Sequence, residues 1–141
     1  MRVQKTVTLP ADAAAVWAAL TKPELTKQYF FDCEAISEWK VGSPLVFKFK
    51  SDGQEIIPVK GVITAIEPNR RLEHTCYAIE FEDVPAKHTV VTYTLTSQGD
   101  TTELQVIQGD FPDDEGREQH DTSWDHVLGG LRALLERQNA S

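Results

Sequence analysis

The chain has 141 residues and a mass of 15.8 kDa, the size of one domain, residues 1–141. Against 22 acids stand 14 bases, a net charge of -8, which argues against a nucleic-acid partner and against charge-driven binding to an anionic membrane. Hydrophobic residues make up 40%, enough for a real core without the composition of a membrane or disordered protein. The longest apolar run, residues 13–20, is well short of the roughly 20 residues that span a bilayer. The N-terminus lacks the apolar stretch of a signal peptide, so a cytoplasmic location is expected. Cys33 and Cys76 form no CxxC pair. Free buried thiols are the expectation, with a disulfide as the alternative.

In chain order, residues 2–9 alternate, with Val3, Val7 and Leu9 on one parity and Lys5 as the exception; this predicts a strand. Pro10, Ala11 and Asp12 open an alanine-rich helix with Val16, Trp17 and Leu20 at helical spacing. Thr21 and Glu24 have capping-box spacing with Pro23 in the first turn, which predicts a second short helix through Leu25 to about Phe30. From Cys33 to Gln108 short β-branched and aromatic runs alternate with turn residues. The runs at 45–50, 56–67, 72–80, 89–96 and 103–107 predict an antiparallel meander of about five or six strands. Phe47 and Phe49 alternate with Lys48 and Lys50, giving one dry and one wet face. Pro58 marks an edge or a bulge, and the register of 56–66 stays open.

The last segment places Trp124, Val127, Leu128, Leu131, Leu134 and Leu135 on one face of an amphipathic helix, predicted from near Glu118 to near Gln138. Between Asp110 and Asp125 lie seven acids and one base, Arg117. Negative charge at a helix N-terminus complements its dipole, so a solvated, well-capped face is the expected reading, with a cation site as the alternative. Gly129 and Gly130, costly in a helix interior, imply either close packing or a bend.

No motif for nucleophilic, nucleotide or metalloprotease chemistry is present. His120 and His126 are six residues apart, on different helix faces, so no metal site is expected from them. His74 shares a strand face with Leu72 and Cys76. It is either a locally bonded core histidine or a polar anchor in an apolar pocket. The aromatics Tyr29, Phe30, Phe31, Trp39, Phe47, Phe49, Tyr93, Phe111 and Trp124 either fill the core or line a cavity. No catalytic residue and no cofactor is assigned.

Several segments carry a resemblance: residues 10–21 (PADAAAVWAALT), 22–24, 39–43 (WKVGS) and 61–68 (GVITAIEP). The others are Arg71–Leu72, 91–95 (VTYTL), 102–104, 109–111 and Trp124 with Leu128 and Leu131. In that order and spacing the chain resembles the SRPBCC (START-like, helix-grip) superfamily. The branch is that of the C-terminal domain of the heat-shock chaperone's ATPase activator (AHSA-type). The resemblance implies an α+β fold, β-α-α-β6-α, with a curved antiparallel sheet around a long C-terminal helix and a cavity between them. Fold alone does not fix function. The first expectation is a small binding protein that holds an apolar or aromatic molecule, or a lipid, against Phe47, Phe49, His74, Tyr93, Trp124 and Leu128. The alternative is a module that binds a heat-shock chaperone through its acidic surface, Asp113 and Asp114 included. A cyclase-like enzyme using His74 or Tyr93 as acid or base is the third.

Overall fold

The computed structural model describes residues 2–109, 111 and 114–140. Strand β1 (Val3–Leu9) leads into α1 (Ala13–Thr21) and α2 (Pro23–Thr26). Six strands follow: β2 (Glu34–Ser37), β3 (Pro44–Ser51), β4 (Gln54–Glu67), β5 (Arg71–Ala78), β6 (Thr89–Gln98) and β7 (Thr101–Gly109). Two single 3-10 turns, Ile79–Phe81 and Pro85–Lys87, join β5 to β6, and α3 (Asp114–Ala140) closes the chain. The strands form one antiparallel sheet in the order β1-β7-β6-β5-β4-β3-β2. This is the curved sheet and long C-terminal helix of the helix-grip fold. No described helix is long and apolar enough to cross a membrane.

Local chemistry accounts for the element boundaries. The Asp12 carboxylate accepts from the Ala15 amide at 2.9 Å, so α1 starts after Asp12, and Pro10 stays outside the helix. The capping box expected at Thr21 and Glu24 does not form, because the cap is Lys22 and the Thr21 hydroxyl donates to the Trp17 carbonyl instead. Nor does α2 reach Phe30. The Thr26 hydroxyl accepts from the Ala35 amide at 2.9 Å, tying the helix end to β2. Phe31 and Asp32 then turn the chain with left-handed φ values of 53° and 62°. β2 is missing from the expected runs because four residues on a sheet edge are too few to show alternation.

Bulges bend the middle of the sheet. Two register shifts lie between Phe47 and Phe49 on β3 and between Ile63 and Ala65 on β4. Pro58 falls in the first, opposite the Phe47–Phe49 step, where no ladder amide is needed.

α3 begins at Asp114, four residues before the expected start, and runs to Ala140 rather than Gln138. Asp114 and Glu115 occupy its first turn, so part of the acidic run is the helix N-terminus itself. Asp110 and Asp113 lie outside the described residues. The alternation exception in β1 also finds its cause here. Lys5 reaches across to Asp121 at 2.7 Å and Asp125 at 3.0 Å, which raises its pKa, chiefly through the hydrogen bond to Asp121. The acidic face is thus partly neutralised by a strand lysine and by Arg117, 3.9 Å from each of Asp114, Glu118 and Asp121.

The apolar face of α3 is the predicted one, with Trp124, Val127, Leu128, Leu131, Leu134 and Leu135 all buried in the core. The glycine pair divides its roles. A Cβ on Gly130 would lie 2.9 Å from the Tyr29 Cβ, so the helix packs closely on the α2–β2 connection rather than on the sheet. A Cβ on Gly129 would meet nothing within 4 Å. The Tyr29 hydroxyl, under that crossing, donates to the Ala19 carbonyl at 2.6 Å. Both cysteines are free thiols, as expected.

Candidate functional site: a two-chambered cavity under the C-terminal helix

Sheet register assembles the site floor. Ile63, His74, Val91, Gln108 and Val3 stand opposite one another in a single row across β4, β5, β6, β7 and β1. The next row pairs Cys76 with Thr89, and on the other side Leu72 faces Tyr93. The side chains of one row share a face of the sheet, so His74, Val91 and Gln108 all point toward α3. Above them Trp124 and Val127 descend from α3.

Between floor and helix lies an inner chamber of about 170 Å³, lined mainly by Phe30, Phe47, His74, Val91, Tyr93, Trp124 and Val127. An adjoining outer chamber of about 310 Å³ shares Val59, Cys76, Gln108 and His120 with it. The outer lining adds Phe81, Lys87, Thr89, Phe111, Glu115 and Gln119. One end is therefore apolar and aromatic, and the other carries amides and both signs of charge.

Five rings form a closed circuit of neighbours around the inner chamber. Phe47 stacks on Phe30 with centroids 5.0 Å apart. Phe30 meets Trp124 edge to face at 6.1 Å, and Trp124 meets Tyr93 at 5.9 Å. Tyr93 neighbours His74 at 6.1 Å, and His74 returns to Phe47 at 6.2 Å. These separations lie in the range of favourable aromatic pairs. Beside them Phe31, half exposed, stacks on His126 of α3 at 5.1 Å.

A polar relay divides the two chambers. The Trp124 indole N–H donates to Gln108 Oε1 at 2.8 Å, and Gln108 Nε2 donates to the Thr89 hydroxyl at 2.8 Å. That hydroxyl donates to the Cys76 carbonyl at 3.2 Å. Each link is satisfied by the next, so Gln108 and Thr89 are tolerated in the interior and hold Trp124 in one orientation.

His74 is 2% exposed. Its Nδ1 lies 2.8 Å from the Thr75 carbonyl oxygen, which only accepts, so Nδ1 carries the proton. Burial pushes its pKa down to about 4, against a smaller upward pull from that hydrogen bond, and the ring is neutral at pH 7. Desolvation likewise pushes the Cys76 thiol up to about 12 and raises the Tyr93 phenol well above its ordinary value. At neutral pH His74, Cys76 and Tyr93 are therefore all uncharged, and Cys76 is not a thiolate nucleophile. Glu73, the acid beside His74, is on the other face of β5, bonded to Thr64, Arg71 and Thr92.

Of the expected ligand-binding residues, Phe47, His74, Tyr93 and Trp124 come together around the inner chamber. Phe49 and Leu128 do not line it. Phe49, near the end of β3, is only partly buried against the core, and Leu128 is buried within it. His120 and His126 have separate partners, His120 tilting on Phe111 at 4.8 Å and His126 stacking on Phe31. Phe30, expected only as an aromatic of core or cavity, and Val127, expected only on the apolar helix face, also line the chamber, together with Val91 and Gln108, for which no site role is expected from sequence. For Gln108 the signal existed, since it continues the parity of Thr102, Leu104 and Val106, all buried.

Comparison with known proteins is consistent with this architecture. Protein ChR145 from Cytophaga hutchinsonii is similar over 100% of this chain and 97% of its own, with 27% identity and a TM-score of 0.82. The Aha1 dimer from Colwellia psychrerythraea matches 96% of each chain at 17% identity and a TM-score of 0.77, a likeness of fold. DynU16, a protein of the dynemicin biosynthetic locus, matches 96% of this chain and 47% of its own at 22% identity and a TM-score of 0.74, again in fold. The comparison with curated proteins finds no match. The family described as Activator of Hsp90 ATPase homolog 1-like protein matches residues 10–136. The chain belongs to that family.

Proposed function

We propose that this protein binds a small aromatic molecule, its ring in the inner chamber and any extension in the outer one. The closed circuit of five aromatic rings around about 170 Å³ carries the reading. A cavity of roughly 150 Å³ lined by apolar side chains accepts benzene, so the inner chamber has room for one six-membered ring with a small substituent. The outer chamber, about 310 Å³, is at the lower end of small-molecule pocket sizes and takes a more polar extension. Ring faces and edges around the chamber reward a flat guest over a branched aliphatic one.

Native mass spectrometry of the purified protein and tryptophan fluorescence against a panel of monocyclic aromatics test the reading. Trp124 forms part of the wall, so a bound guest changes its emission. Ser123→Phe, which adds a ring to the chamber wall from α3, abolishes the response. Unchanged emission across the panel, with no adduct in the mass spectrum, refutes the reading.

A second reading rests on the family match: a docking module for a heat-shock chaperone. Its recognition surface would be the acidic, exposed side of α3 around Asp114 and Glu118, side chains that line neither chamber. Charge reversal at Asp114 weakens chaperone capture under this reading and leaves aromatic binding unchanged under the first.

A further inference from the structure

Two polar atoms on the buried residues that line the inner chamber have no partner among the described residues. His74 Nε2 and the Tyr93 hydroxyl take part in no hydrogen bond, although His74 is 2% and Tyr93 5% exposed. Among the described residues no fully enclosed side-chain nitrogen or oxygen is left unsatisfied, so both atoms open onto the chamber their residues line. The Thr75 carbonyl fixes the tautomer, with the proton on Nδ1 and a bare lone pair on Nε2. The chamber thus presents an acceptor that cannot donate, next to a hydroxyl that does both. The Trp124 N–H and the Gln108 amide, the other buried polar groups of the wall, are already spent on one another and on Thr89.

We propose that the chamber selects a neutral aromatic bearing a hydroxyl group, a phenol, whose O–H donates to His74 Nε2 and whose oxygen is served by the Tyr93 hydroxyl. This rests on the aromatic-binding reading above and adds the chemical class of the guest. An aromatic carboxylate seated on this floor is rejected, because it gives up its hydration there and meets the Nε2 lone pair with no Lys or Arg in the lining; the imidazole of His120 is on the exposed side, away from the buried pair. An ammonium is rejected for want of an acid. An unsubstituted ring fits but leaves Nε2 unpaired, and an aldehyde satisfies only Tyr93. His74 and Tyr93 lie side by side in the circuit, 6.1 Å between centroids, within the span of one small substituent.

The test is calorimetric titration of the full-length protein at pH 7.5 with p-cresol, toluene, benzaldehyde and benzoate. One added hydrogen bond to a buried acceptor predicts p-cresol binding about tenfold tighter than toluene, with benzoate silent. His74→Phe and Tyr93→Phe each shrink that ratio. As a readout independent of any variant, the His74 Nε2 resonance in a long-range ¹H–¹⁵N spectrum shifts with p-cresol and stays in place with toluene. Equal affinity for p-cresol and toluene, or an unmoved Nε2 resonance at saturating p-cresol, overturns the phenol assignment while aromatic binding stands. If none of the four binds, both readings fall together.

Discussion

Replacing His74 by Asn removes a titrating group and keeps a donor for the Thr75 carbonyl, since the Asn side-chain amide sits about where Nδ1 does. In the native protein the ring is neutral down to about pH 4, while in the unfolded chain it titrates near 6.5. The unfolded state therefore binds the extra proton first. The contribution of this group is fully present above about pH 6.5 and is lost as pH falls toward 4. Linkage between those two values gives a loss of about 2 kcal/mol from pH 7 to pH 5 and about 3 kcal/mol by pH 4. Both are large against a total stability of about 5–15 kcal/mol. The assay is urea unfolding of the wild type and His74→Asn at half-unit steps from pH 4 to 7.5. Carboxylates contribute to both proteins alike, so the difference between the two curves isolates the histidine. The wild-type curve should fall more steeply with acid than the variant's. Parallel curves would show that the native ring takes up its proton as readily as the unfolded one, and would refute the argument from burial.

The glycine pair of α3 should respond in opposite directions. Gly129→Ala gains helix propensity of up to about 1 kcal/mol with nothing to strike, whereas Gly130→Ala drives a methyl into Tyr29 and lowers the melting temperature. Gly61→Ala sets a Cβ against the Thr75 carbonyl, the acceptor that orients His74, and should cost about 2 kcal/mol or more in denaturant unfolding. A double-mutant cycle of Lys5→Ala and Asp121→Ala should give a coupling of at most about 1 kcal/mol that shrinks with added salt, because Asp121 is more than a third exposed. Cys76 in the folded protein should resist iodoacetamide at pH 8 and react once urea unfolds the chain, as peptide mapping will show.

The elements that sequence placed well are those whose burial repeats along the chain. The apolar stripe of α3 from Trp124 to Leu135 is local periodicity, and a 3.6-residue repeat survives whatever it packs against. The parity of β5 likewise set His74 on the face of Leu72 and Cys76 before any sheet was known. Where an outcome hung on a competing partner, local rules failed. The capping box lost to the Trp17 carbonyl, α2 ended where Thr26 was taken by Ala35, and the helix start moved to Asp114. Phe49 follows the parity of Phe47, yet near the end of β3 it is only partly buried and does not line the chamber.

Composition and pattern alone thus determined an excess of acid, an antiparallel sheet and a long helix to cover it. Those follow from residue type and short-range periodicity. The resemblance carried by the motifs added the strand count and the helix-grip arrangement. Tertiary structure decided how tightly the helix closes on the sheet. It set Phe30, His74, Tyr93 and Trp124 around one chamber and left two of their polar atoms facing it. Register and bulges set those positions, and both depend on strands paired across dozens of residues. The charge found its address in the same way: Lys5, out of step in its own strand, is in place once β1 lies beneath the acidic turn of α3.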